Sequence, residues 1–174
     1  MGQSGSLRGK LLLFIVSFFG AGLISRKMPG TVGSFVATGI LLMMPKSSIL
    51  VLICSFISFF LGWICCNFYI PKYETDKDPG YIVIDEVCGI FLSGAIIYYF
   101  GYITTFDILL SFLLFRLFDI FKPYPIHNIE NSLKTYQNTV SLGIMLDDVI
   151  ASIFASATQI VLKALAFSVF RLCQ

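Results

Sequence analysis

The sequence predicts an all-α, multi-helix bundle embedded in a membrane, and three observations carry that expectation. Hydrophobic residues make up 57% of the 174-residue chain and charged residues 13%, against about 45–50% and about 25% in an ordinary soluble domain. The mean hydropathy is +0.87. The uncharged run from Ser47 to Pro71 is longer than the roughly 20 apolar residues that carry a helix across a hydrocarbon core. A chain of this length is expected to form one domain, residues 1–174, and no repeat or low-complexity tract divides it.

Six apolar runs are expected to be helical, the shorter ones either spanning or re-entrant. The first, Leu11 to Ile24, follows Arg8 and Lys10 in the manner of a secretory leader, but no small-x-small cleavage site precedes Arg26 and Lys27, so it reads as the first helix. Phe35 to Met44 is the second and Ser47 to Pro71 the third. The fourth, Val87 to Phe106, is long enough to span, and Gly89, Gly94 and Gly101 would let a neighbour come close. Ile108 to Phe121 is interrupted by Arg116 and Asp119, and Val149 to Phe170 carries Lys163, which could snorkel or face a partner helix. Between the runs lie polar connections, Ser25 to Ser34, Lys72 to Glu86 and Lys122 to Asp148. If each run crosses once, these three share one side. Arg26, Lys27, Lys72, Lys77, Lys122 and Lys134 on that side, against Arg8, Lys10, Lys46 and Arg171 on the other, favour the cytoplasm.

Composition removes several functions. A net charge of +2 gives no nucleic-acid footprint, so no such partner is expected. The five cysteines have no metal-site or disulfide spacing and read as small hydrophobes. A single histidine, His127, leaves no His-rich metal site and no two-histidine phosphatase. No cysteine has an arginine six residues later, GxxxxGK(S/T) and GxSxG are absent, and Asp76-Lys77-Asp78 runs into Pro79-Gly80 instead of completing a nucleophile motif.

The remaining charges are placed with purpose. Asp85-Glu86 stands directly before the fourth run and Asp147-Asp148 directly before the sixth. Carboxylates there can be helix caps and nothing more. Yet the wiring brings both pairs to one face, where like charges repel unless a hard cation such as Mg²⁺ joins them, and such a cluster holds phosphate oxygens. Arg116, Asp119 and Lys122 recur every three residues and predict one polar stripe on an apolar helix. Such a stripe is either self-neutralising or a phosphate clamp, with Arg116 and Lys122 on phosphate oxygens and Asp119 orienting them or joining the cation. Arg26 to Ser34 offers two cations, a turn and the hydroxyl of Thr31 at a helix start, which could bind an anion or simply be a loop capped by Ser34.

In order, Pro29-Gly30-Thr31-Val32-Gly33-Ser34, Asp78-Pro79 with Ile82 to Gly89, Phe115 to Ile126, and Gly143 to Ala151 resemble the signature segments of the phosphatidylglycerophosphatase A family. The resemblance implies an all-helical protein of the bacterial inner membrane that removes the terminal phosphate of phosphatidylglycerophosphate with Mg²⁺, leaving phosphatidylglycerol. Asp85, Glu86, Asp147 and Asp148 are the expected metal ligands, Asp119 is a further site residue, and Arg116, Lys122 and Thr31 are expected on the phosphate. The chain departs from the family where a glycine pair is replaced within Thr139-Val140-Ser141-Leu142, in what is expected to be a loop leading to Asp147, and at Ser152. Two other readings stay open on the residues alone. One is a phosphatase or phosphotransferase for another membrane-anchored monoester, and the other a small transporter whose intramembrane charges form an ion path.

Overall fold

The computed structural model describes residues 6–74, 76, 78–124 and 139–172; Lys77, His127, Lys134 and most of the connection between Lys122 and Asp148 lie outside the described residues. Within them the protein has seven helices and no strand: α1 Leu7–Val16, α2 Ala21–Ile24, α3 Pro29–Met43, α4 Ser48–Tyr73, α5 Ile84–Tyr99, α6 Thr105–Phe121 and α7 Val140–Leu172.

Local chemistry explains the boundaries, several of which differ from the apolar runs. The first run is cut in two because Phe18, Phe19 and Gly20 all take positive φ, separating α1 from α2. Helix α3 starts at Pro29, whose fixed φ suits the first helical position, so Ser34 is inside the helix and is not its cap. The Ser47 hydroxyl caps α4 by accepting from the Leu50 amide. The run from Val87 to Phe106 is not one helix. It breaks at Gly101, with φ of 79°, and restarts where Thr104 and Asp107 form a reciprocal capping box for α6. The 16 residues of α5 therefore reach only about 24 Å.

Among the described residues two helices are long and apolar enough to cross a membrane: α4, and α7 over Val140–Val169. Only 28% of the most apolar window of each is buried, unlike the core helix of a soluble protein. The open face of α4 carries Ile49, Ile53, Phe56, Ile57, Phe60, Ile64 and Phe68. Helix α5 sits at the centre, buried along most of its length and packed by α3, α4, α6 and α7. Two of the three glycines expected to admit neighbours do so: a Cβ on Gly89 would strike the Phe115 ring and one on Gly94 the Leu41 side chain, whereas a Cβ on Gly101 would meet nothing within 4 Å and that glycine serves through its positive φ.

At one end of the bundle the polar connections converge. Gly22 lies against the Tyr81 carbonyl, Gly30 against Glu86, and Lys122 reaches Asp147. Tyr81 there shares hydrogen bonds with Glu74 and Tyr69. Burial first, then the bond to Glu74, pushes its phenol above its ordinary value and keeps it protonated.

Candidate active site

Asp85 and Glu86 occupy the first turn of α5, as their position in the sequence suggests. The other pair is different. Because α7 begins at Val140, Asp147 and Asp148 lie about two turns inside a helix and cap nothing. The segment Thr139 to Leu142, expected as a loop, is the turn and first helical residues leading there, since Val140, Ser141, Ile144, Met145, Asp148, Ala151, Ser152 and Ala155 form one buried face at helical spacing.

Successive helical residues diverge by about 100°, and the adjacent acids are parted accordingly. Asp148 turns toward α5, where one oxygen each from Asp85, Glu86 and Asp148 lie within 4.8 Å of one another. Asp147 instead accepts from the Lys122 ammonium at 2.7 Å. Lys122 does not continue the stripe of Arg116 and Asp119. It ends α6 in the left-handed region, φ 41° and ψ 58°, and leaves the helix surface to reach α7.

Arg116 is the hub of the polar end. Its Nη1 donates to Asp119 Oδ2 at 2.6 Å and lies 3.9 Å from Glu86 Oε1. Long bonds of 3.4 Å run from Nη1 to Ser34 and from Nη2 to Thr31, both on α3. Of the buried side-chain atoms without a hydrogen-bond partner among the described residues, two belong to this site: Arg116 Nε, a donor, and Glu86 Oε2, an acceptor. A buried donor and a buried acceptor left open in one site are what an incoming phosphate oxygen and an incoming cation would satisfy. The donor set around the acids is all oxygen, which suits a hard cation.

Two residues of this site escaped sequence reasoning. Ser34, read there as a cap, donates to the Gly30 carbonyl at 2.8 Å and accepts from Arg116. Gly30 lets α3 lie on the carboxylates, because a Cβ there would come within 2.1 Å of Glu86 Oε1 and 3.4 Å of Arg116 Nη1. A Pro-Gly pair opening a helix is the signal that could have shown it: proline starts the helix, and glycine is needed only if something approaches closely.

Asp85, Glu86, Asp119, Asp147, Asp148, Arg116, Lys122 and Thr31 are thus all brought to one end of the bundle, from four helices. The family model for phosphatidylglycerophosphatase A matches residues 14–163. A protein of Haemophilus influenzae named phosphatidylglycerophosphatase A is 38% identical over 142 residues, which cover 79% of this chain and 79% of that protein. No solved structure matches.

Proposed function

The chain belongs to the phosphatidylglycerophosphatase A family, and from that premise we propose that it hydrolyses phosphatidylglycerophosphate to phosphatidylglycerol and phosphate, using Mg²⁺ at the carboxylates of Asp85, Glu86 and Asp148. The observation that carries the reading is the meeting of three acidic oxygens within 4.8 Å beside an arginine with an open buried donor.

When bound, Mg²⁺ supplies neutralisation of the phosphoryl oxygens as negative charge shifts in the transition state. The remaining roles fall to the chain's own residues. Arg116 points its guanidinium at the phosphate, its Nε free for one oxygen and its Nη atoms exchanging their long bonds to Thr31 and Ser34 for shorter, charge-assisted ones. Asp119 fixes the plane of that guanidinium through the 2.6 Å bond. Lys122, anchored on Asp147, adds a second positive charge at the mouth, and Asp147 is a positioning residue whose place in the metal shell is secondary to that of Asp148. In the reaction the bond from phosphorus to the terminal glycerol oxygen breaks, an oxygen derived from water takes its place, and a proton goes to the departing alkoxide.

The proposed setting is the bacterial inner membrane, in a single domain with α4 and α7 spanning, the shorter apolar helices packed against them, and the site facing the cytoplasm. Phosphate release from phosphatidylglycerophosphate by the purified protein, with and without Mg²⁺, tests the reading. Release only from other phosphate monoesters would reassign the substrate. Ion flux in liposomes without phosphate release would make the protein a transporter.

A further inference from the structure

An apolar groove of about 290 Å³ lies between α4, α5 and α7, lined among others by Leu52, Phe56, Phe60, Cys88, Leu92 and Val149, so that its α5 side begins one turn beyond Asp85. Two hydrogen bonds fix its depth. Ser55 donates to the Cys88 carbonyl at 3.1 Å and Ser48 to the Ala95 carbonyl at 2.8 Å. The antiparallel helices α4 and α5 are thereby in register, residue 55 against 88 and 48 against 95. Phe60 is then level with the first turn of α5, where Asp85 and Glu86 sit, and Leu52 is level with Leu92. On α5, Asp85, Cys88 and Leu92 follow one another at three and four residues, so they share a face. On α7, Leu146 and Val149 are level with Asp148 but lie on another side of the helix. The groove thus starts at the depth of the carboxylates and descends about 10 Å along the α5 face that Asp85 begins. Phe56 and Phe60, half exposed, open it sideways to the surroundings of α4.

We propose that this groove takes one acyl chain of the lipid whose phosphate occupies the carboxylate site. The inference rests on the lipid-phosphatase reading and goes beyond it by naming where the apolar part of the substrate lies. A phosphate held at the carboxylates is tethered through its glycerols to chains that descend beside it, and this groove begins at that depth and runs in that direction. The lining is aliphatic and aromatic, and the Ser55 hydroxyl is already turned to a backbone carbonyl, so a chain entering it leaves no polar group stripped of its partner.

Two measurements on the full-length protein decide it. First, Leu52→Trp fills the deep end away from the charged residues, and with dipalmitoyl phosphatidylglycerophosphate KM should rise about tenfold, whereas with the dihexanoyl form, whose chains are too short to reach Leu52, kcat/KM should stay within twofold of wild type. Equal losses on both substrates, or none on either, overturn the proposal. Second, phosphatidylglycerophosphate carrying a diazirine near the middle of one acyl chain is photolysed with the wild-type protein in chelator and the adducts mapped by mass spectrometry. Adducts concentrated on residues 52–60, 88–92 and 146–149, and competed away by unmodified lipid, are expected; adducts spread evenly over the outer faces of α4 and α7 overturn it. Concentrated adducts in a protein that releases no phosphate would sink the phosphatase reading and leave the groove as a lipid site, whereas phosphate release with scattered adducts would do the reverse.

Discussion

Replacing Gly30 with alanine adds one methyl group and should remove most of the activity without unfolding the protein. The new Cβ would stand 2.1 Å from Glu86 Oε1, where such contacts are not found below 3.0 Å, so one partner must retreat by about 1 Å. The backbone of α3 is held by its own helix and by Gly33 against Val83, whereas the Glu86 carboxylate is the end of a flexible side chain, so it is the carboxylate that gives way. For folding this is cheap, and alanine's better helix propensity, up to about 1 kcal/mol in a helix interior, offsets part of it. For catalysis it is expensive. A displacement of about 1 Å at a reacting centre costs on the order of 100-fold, about 2.7 kcal/mol of transition-state stabilisation. Gly39 is the internal control, because a Cβ there meets nothing within 4 Å on the same helix. Gly39→Ala should keep full activity and gain a few tenths of a kcal/mol. Phosphate release and thermal unfolding of both variants in the same detergent make the comparison. A Gly30→Ala protein with wild-type turnover would show that the position of Glu86 does not matter to the reaction, and the carboxylate assignment would fall with it.

Chelation should abolish phosphate release and Mg²⁺ restore it, with Ca²⁺ serving poorly because its larger and looser shell displaces the phosphate; full activity in chelator would refute the metal assignment. Asp148→Asn should lower turnover at least as much as Asp147→Asn, since only Asp148 shares the acidic cluster, and the reverse order would contradict the division of the pair. Arg116→Lys keeps the charge but loses the planar fork, so turnover should drop about 10- to 100-fold with little change in melting, and an unaltered rate would mark Arg116 as structural. Lys163→Met should do the opposite: it strips the partner from Asp107, buried at the far end of α6, and should destabilise by about 3 kcal/mol while specific activity of the folded fraction is kept. Cysteines introduced at Arg26 and Tyr124, with the native cysteines replaced, should be labelled from the same side of the membrane and one at Lys46 from the other; labelling of Arg26 and Tyr124 from opposite sides would dismantle the shared site.

Helical class and the convergence of the charged residues at one end of the bundle were readable from the sequence because both depend on composition and local order. Long uncharged runs mark α4 and the later part of α7, and acids next to them mark Asp85 and Glu86. What could not be read depends on backbone angles and tertiary packing. An apolar run does not reveal that Phe18 and Phe19 adopt positive φ or that Gly101 breaks a helix, so Leu11 to Ile24 and Val87 to Phe106 looked continuous. Hydropathy also sets a helix start at the first apolar stretch free of charge, which put the start of α7 after Asp148; the true start is near Val140, where burial of one face, not lack of charge, drives the helix. The stripe of Arg116, Asp119 and Lys122 assumed that helical spacing persists to its last member, and Lys122 is the residue at which it stops. Contacts between distant segments, such as Gly30 on Glu86, leave only a permissive trace in the sequence: a residue small enough not to obstruct.

The central position of α5 also bears on the order of synthesis. The ribosome completes α5 before α6 and α7, two of the four helices that enclose it. Until they arrive, its acidic first turn has neither Arg116 nor Asp148 beside it, and a nascent or truncated chain has no means of assembling the carboxylate cluster. On the proposed reading of the site, competence is therefore acquired late, when α7 docks, and an unfinished chain is not yet a catalyst.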